Sequence, residues 1–102
     1  MASVLDGVRV LELGQVLAGP FAGAILADLG AEVIKIERTE GGDDARRMGP
    51  AFRNGDALNF HIFNRGKQSV ALDLKTEDGR AHLERLVAQA DIQVTPLPGE
   101  DI

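Results

Sequence analysis

The chain contains no cysteine, so no disulfide framework, thiolate metal site or cysteine nucleophile can be built from it. Long apolar runs are missing as well. Nothing approaches the roughly 20 residues needed to cross a bilayer, and Met1-Ala2-Ser3-Val4-Leu5-Asp6-Gly7 lacks the basic and apolar regions of a secretory signal. These absences predict a cytoplasmic protein with no membrane partner. Net positive charge is also lacking: at a formal −5 no nucleic-acid partner is expected, because phosphate neutralisation requires a basic face. The glycines at 14, 19 and 23 do not fit G-x-G-x-x-G, and no G-x-x-x-x-G-K-[ST] occurs, so the dinucleotide fingerprint and the P-loop are both absent. His61 and His82 have no partners at metal-ligand spacing. No metal is expected.

What is present is an ordinary globular composition, 44% hydrophobic and 26% charged over 102 residues, enough for one small domain with one core. Val8 to Leu13 is a short aliphatic run ending at Gly14, which predicts a buried strand. The glycines and Pro20 that follow predict a turn and then a helix from Phe21 to Leu29, nearly all apolar, expected to be mostly buried and ended by Gly30. Glu32 to Glu37 alternates as a second strand. Strand, helix and strand in this order predict a parallel pair with a right-handed crossover. After a long Gly-, Asp- and Arg-rich stretch from Arg38 to Asp56, a short helix at Ala57–Asn64 and a third strand at Gln68–Leu74 are expected. Thr76 is a suitable N-cap for the clearest helix, in which Leu83, Leu86, Val87 and Ala90 recur at helical spacing. Ile92-Gln93-Val94 begins a fourth strand that the prolines at 96 and 98 cut short. The reading is a single α/β, Rossmann-like domain over residues 1–102 with a partial parallel sheet.

Ligand contacts are sought where charge is uneven. From Arg38 to Lys67 six basic residues face four acidic ones in an otherwise acidic chain, a local excess that can draw an anionic small molecule or belong to a solvated loop. Arg38 follows strand two and Lys75 follows strand three, at the carboxyl ends where open α/β sheets bind ligands. Arg38 offers a planar fork for phosphate, and Lys75 a point charge. Glu37 stands where a Rossmann domain places the acid that holds a ribose, which keeps an NAD-binding reading open, although Arg38 beside it argues against one unless phosphate is bound. The turn at Val16-Leu17-Ala18 leads into a helix N-terminus, a place for phosphate or simply a tight turn. Asp43 and Asp44, beside Arg46 and Arg47, read either as a carboxylate pair for acid–base work or as an ion-paired loop.

Taken together, Leu5-Asp6-Gly7-Val8-Arg9-Val10-Leu11, Val16-Leu17-Ala18-Gly19-Pro20-Phe21, Leu26 to Arg38, Gly42-Asp43, Asn64-Arg65-Gly66-Lys67-Gln68-Ser69-Val70, Leu72-Asp73-Leu74-Lys75 and Glu77-Asp78-Gly79-Arg80 closely resemble the class III coenzyme A transferases. That family includes formyl-CoA transferase, carnitine CoA-transferase and α-methylacyl-CoA racemase. The resemblance runs from residue 5 to about residue 94, and after Val94 the chain departs from the family, so residues 95–102 read as a divergent or truncated tail. It implies that Val16, Leu17, Ala18, Arg38, Leu72, Asp73, Leu74 and Lys75 line a coenzyme A site. It also implies transfer of CoA from an acyl-CoA thioester to a carboxylic acid through an aspartyl intermediate, in a homodimer. The family's nucleophilic aspartate lies beyond the matched region, so no catalytic residue is assigned and the chain alone is expected to be inactive. A non-catalytic CoA- or nucleotide-binding module is the alternative. A sheet of this size lacking later strands is expected to leave an edge and apolar surface open to self-association.

Overall fold

The computed structural model describes residues 3–96, and most of the divergent tail expected at 95–102 falls outside them. In chain order the elements are β1 (Arg9–Glu12), α1 (Ala18–Asp28), β2 (Glu32–Glu37), one 3-10 turn (Asp44–Arg47), β3 (Phe52–Arg53), β4 (Asp56–Ala57), α2 (Leu58–Phe63), β5 (Lys67–Ala71), α3 (Glu77–Gln89) and β6 (Ile92–Val94). β1, β2, β5 and β6 form one parallel sheet in the order β5-β2-β1-β6. The chain thus starts inside the sheet, steps outward twice and then crosses back to the far side of β1. This is the order with which doubly wound nucleotide-binding sheets begin, and it sets all four carboxyl ends along one edge.

Alternation along the strands builds two cores. Leu11, Leu13, Ile34 and Ile36 face α3, which covers them with Leu83, Leu86 and Val87, joined by Val70, Leu72 and Ala90. Val10, Ala31 and Val33 face the other way, under Leu26 and Ala27 of α1. Removing each such aliphatic side chain from water contributes roughly 1.5–3 kcal/mol. Both expected crossover helices therefore exist, one on each face of the sheet.

α1 departs from expectation in two ways. It begins at Ala18, earlier than Phe21, although Pro20 lies in its first turn and Gly30 ends it, at a φ of +103°, as expected. It is also not mostly buried: Pro20, Gly23 and Ala24 are, but Phe21, Ile25 and Leu29 are 47%, 43% and 42% exposed. Small residues are what allow the helix to lie close on the sheet, which turns its large ones outward. At Gly23 an added Cβ would sit 1.9 Å from the Glu12 carboxylate.

The third strand ends at Ala71 instead of Leu74. Leu72 still donates its N–H to Glu37 O (2.9–3.0 Å being usual, here 3.0 Å), but the Asp73 carboxylate then accepts the Lys75 N–H at 3.0 Å, and this local turn replaces the ladder. The stretch from Arg38 to Asp56 is not structureless. Besides its 3-10 turn it holds the β3–β4 hairpin, whose loop residues Asn54 and Gly55 both have positive φ (53° and 85°). Asn-Gly is the strongest two-residue hairpin signal a sequence offers.

Candidate functional site

The site begins with two charged residues that the register makes neighbours. Glu12 on β1 lies beside Lys35 on β2, on the sheet face covered by α1, and both are buried. Lys35 Nζ lies 2.8 Å from Glu12 Oε2 and 2.9 Å from Asp43 Oδ2. Lys67, arriving on β5, sets its ammonium 2.6 Å from Glu12 Oε1 and donates to Pro20 O and Asn64 Oδ1, each at 2.8 Å. Burial pulls the Lys67 ammonium below its ordinary range, while the Glu12 carboxylate beside it acts in the opposite sense. Two anions and two cations, all with side chains at most 2% exposed, form a neutral cluster beneath the β1–α1 turn.

Asp43 joins this cluster to the turn. Its carboxylate accepts the Val16 N–H at 3.0 Å (Oδ1) and 3.3 Å (Oδ2), and the Ala45 N–H at 2.9 Å. Val16 has a φ of +67°, a rare conformation for a β-branched residue, and the Leu17 N–H donates back to Gln15 O at 3.0 Å, closing a γ-turn around it. Leu17 and Ala18 are exposed at the start of α1. Gly14 and Gly19 meet so closely below them that an added Cβ on either would lie 3.0–3.1 Å from the other's Cα.

Glu37 is turned inward. Its Oε1 accepts from the Asp43 N–H and Arg46 Nε, both at 2.8 Å, and its Oε2 from Arg46 Nη2 at 2.7 Å and from the Ser69 hydroxyl. Four donors fill the carboxylate's lone pairs. Burial pushes the Glu37 carboxyl up, but the hydrogen bonds from Arg46, Ser69 and the Asp43 N–H, with the Arg46 charge, outweigh it and hold it at about 2. Arg46 also reaches Asp56 at 2.9 Å and lies 4.0 Å over the Phe60 ring. With its lone pairs occupied, Glu37 has no capacity to hold a ribose, which removes the physical basis for an NAD-binding reading.

Beyond these residues the carboxyl edge opens into a cleft of about 390 Å³ lined by Ile36, Glu37, Arg38, Thr39, Glu40, Leu72, Asp73, Leu74 and Lys75. Arg38 donates to Gly42 O (3.2 Å from Nε, 2.9 Å from Nη2) and pairs with Asp44. Its Nη1 makes no hydrogen bond among the described residues, leaving two donors. The opposite wall is Leu72 to Lys75, the segment that leads into α3. Thr76 caps that helix through the Gly79 N–H at 3.0 Å, the Thr76 hydroxyl donates to Asp73 O at 2.8 Å, and at Gly79 an added Cβ would lie 1.9 Å from Asp73 O. Lys75 is exposed, and its ammonium has no partner among the described residues.

Of the residues predicted from sequence, Arg38, Leu72, Asp73, Leu74 and Lys75 therefore meet in one cleft. Val16, Leu17 and Ala18 lie outside its lining, next to a smaller hollow that shares Ile36, Glu37 and Arg38 with it. The local basic excess is largely spent internally: Arg46, Arg47, Arg65 and Lys67 are paired with Glu37, Asp44, Asp28 and Glu12. Asp44 is the ion-paired loop residue expected, whereas Asp43 has different partners, Lys35 and the Val16 N–H. Sequence reasoning missed the Glu12–Lys35–Asp43–Lys67 cluster. The one signal available was charge at inward positions of two strands otherwise apolar.

Comparison with known proteins agrees with the resemblance. The family model for CoA-transferase family III matches residues 5–101. The succinate–glutarate CoA-transferase of Agrobacterium fabrum is 52% identical over 96 residues, covering 88% of this chain and 24% of that relative. The succinyl-CoA:glutarate CoA-transferase of Mus musculus is 49% identical over 90 residues, covering 88% and 21%. A crystal structure of a CAIB/BAIF family protein from Brucella suis superposes with a TM-score of 0.86 at 47% identity, covering 93% of this chain and 26% of that one. The chain thus spans about a quarter of the length of these proteins, and over nearly its whole extent it belongs to CoA-transferase family III.

Proposed function

We propose that this chain forms part of the coenzyme A site of a transferase that moves CoA from an acyl-CoA thioester to a carboxylic acid. The observation that carries this reading is the cleft at the carboxyl ends of β2 and β5, where Arg38 and Lys75 stand on facing segments. Arg38 presents two N–H donors and Lys75 a free ammonium, a pair suited to the phosphates of a nucleotide. Leu72 and Leu74 supply apolar walls, and the exposed Ala18 at the α1 N-terminus offers a backbone donor nearby. The relatives named for succinyl-CoA and glutarate favour a short dicarboxylate as the acid.

In this reading the nucleophile is an aspartate outside the segment. It attacks the thioester carbonyl and expels the CoA thiolate, which then attacks the aspartyl anhydride to release the first acid and leave an aspartyl thioester. The acceptor carboxylate attacks the aspartyl thioester and expels the CoA thiolate, forming a second mixed anhydride, and the thiolate then attacks the acceptor's acyl carbon to give the new acyl-CoA and release the free aspartate. Holding CoA in place while it changes acyl partner is the task assigned to this segment, within the homodimer that the family resemblance implies. Titration of the purified chain with CoA tests it: a saturating ligand that binds only the folded state stabilises it, by about 2.7 kcal/mol at a hundredfold excess over Kd. The rise in thermal midpoint is expected with CoA, absent with NAD, and reduced in Arg38→Ala and Lys75→Ala. A folded chain with no response to CoA overturns the proposal.

A further inference from the structure

We propose that Asp43 is a positioning residue for coenzyme A binding: its carboxylate, anchored on Lys35, holds Val16 in the left-handed conformation that presents Leu17 and Ala18 at the start of α1. The inference deepens the reading of this edge as a CoA site and rests on it. Its evidence is independent of the cleft. A valine at a φ of +67° is disfavoured by contact between its branched side chain and its own backbone, a cost of order 1–3 kcal/mol that persists only where the surroundings impose it. Beside the Leu17 N–H bond to Gln15 O that closes the turn, Asp43 is the side chain that holds it here. The Val16 N–H points into the protein and meets both oxygens of Asp43, at 3.0 and 3.3 Å.

Asp43 is itself unable to move away. It is 1% exposed, its Oδ2 lies 2.9 Å from Lys35 Nζ, its Oδ1 also accepts the Ala45 N–H at 2.9 Å, and its own N–H is held by Glu37 at 2.8 Å. Lys35 is fixed in turn by Glu12 at 2.8 Å and by Gly14 O at 3.3 Å, the residue that opens the same turn. Charge buried in β1 and β2 is thereby converted into the shape of a loop at the ligand edge. A turn ordered before the ligand arrives spares the ligand the free energy of ordering it.

Three substitutions separate this role from a merely structural one, with CoA affinity measured by titration calorimetry and folding by urea denaturation. Asp43→Ala removes both the anchor and the acceptor, so stability falls and CoA affinity drops by about fivefold to a hundredfold, the range that a strain of 1–3 kcal/mol implies. Asp43→Asn keeps an acceptor for the Val16 N–H but loses the charge facing Lys35, so stability falls while affinity stays within about threefold of the parent chain, less than one such strain. Val16→Gly added to Asp43→Ala lets residue 16 adopt positive φ without strain and is expected to recover most of the lost affinity, without restoring the stability lost with the ion pair. Binding that falls in parallel with stability in all three, with no recovery by Val16→Gly, overturns the positioning role. So does unchanged affinity in Asp43→Ala. A parent chain that is folded yet does not bind CoA overturns both this inference and the assignment of the site.

Discussion

The two halves of the carboxyl edge are built on opposite plans. Beneath the β1–α1 turn, four charged side chains from β1, β2, β5 and the loop after β2 are buried together, and the backbone above them is held in a conformation it would not adopt alone. On the β2–β5 side the cations lining the cleft, Arg38 and Lys75, are exposed, and order comes from local devices, the Asp73 turn and the Thr76 cap. The contrast teaches that charge serves two ends within one small site. Buried, it fixes geometry because an unpaired ion in a low dielectric is very costly; exposed, it remains free for a ligand because water screens it.

The largest effect is expected where the comparison is broken at its buried end. Lys35→Met leaves Asp43 without its cation and Glu12 with only Lys67, and should destabilise the chain by about 3–5 kcal/mol in urea denaturation; a loss below about 1 kcal/mol, the scale of surface pairs, would place the cluster among them. Glu37 comes next. Its carboxyl is held at about 2, below the ordinary 4.5, so its contribution is whole above about pH 4.5 and is lost as pH falls toward about 2. That contribution is on the order of 3 kcal/mol, for a side chain only 3% exposed. Denaturation midpoints followed through this window should fall in the parent chain and flatten in Glu37→Gln.

The open half is expected to respond weakly. Thr76→Ala removes the cap of α3 and should cost about 1 kcal/mol, read as a lowered thermal midpoint. Lys75→Ala should change stability by less than about 0.5 kcal/mol, as surface substitutions do, while weakening CoA binding. Equal losses of stability from Lys35→Met and Lys75→Ala would abolish the distinction between the two halves.

Legibility in the sequence follows the same division. β2 was bounded at Glu32–Glu37, and the packing face of α3 at Leu83, Leu86, Val87 and Ala90, because alternation and helical periodicity are local signals. Arg38 and Lys75 stand out in the sequence because residues just past parallel strands share an edge. Asp43 reads in the sequence as an acid among neighbouring arginines, because its actual partners stand 8 and 27 residues away along the chain, at Lys35 and Val16. The outward face of α1 was also misjudged: an apolar helix looks buried until the small residues that let it approach the sheet decide which side that is.

The sequence by itself determined the chain order of the four sheet strands and three helices, the parallel strand–helix–strand plan, the family, and the identity of the cations at the strand ends, all of which rest on periodicity, turn residues and motifs carried within short stretches of chain. Only the tertiary structure decided which charges are buried, that Glu37 is occupied by Arg46 and Ser69, and that Val16 is held at positive φ. Those outcomes depend on carboxylates and ammonium groups meeting out of water, and only the folded register of β1, β2 and β5 brings them within ion-pair distance.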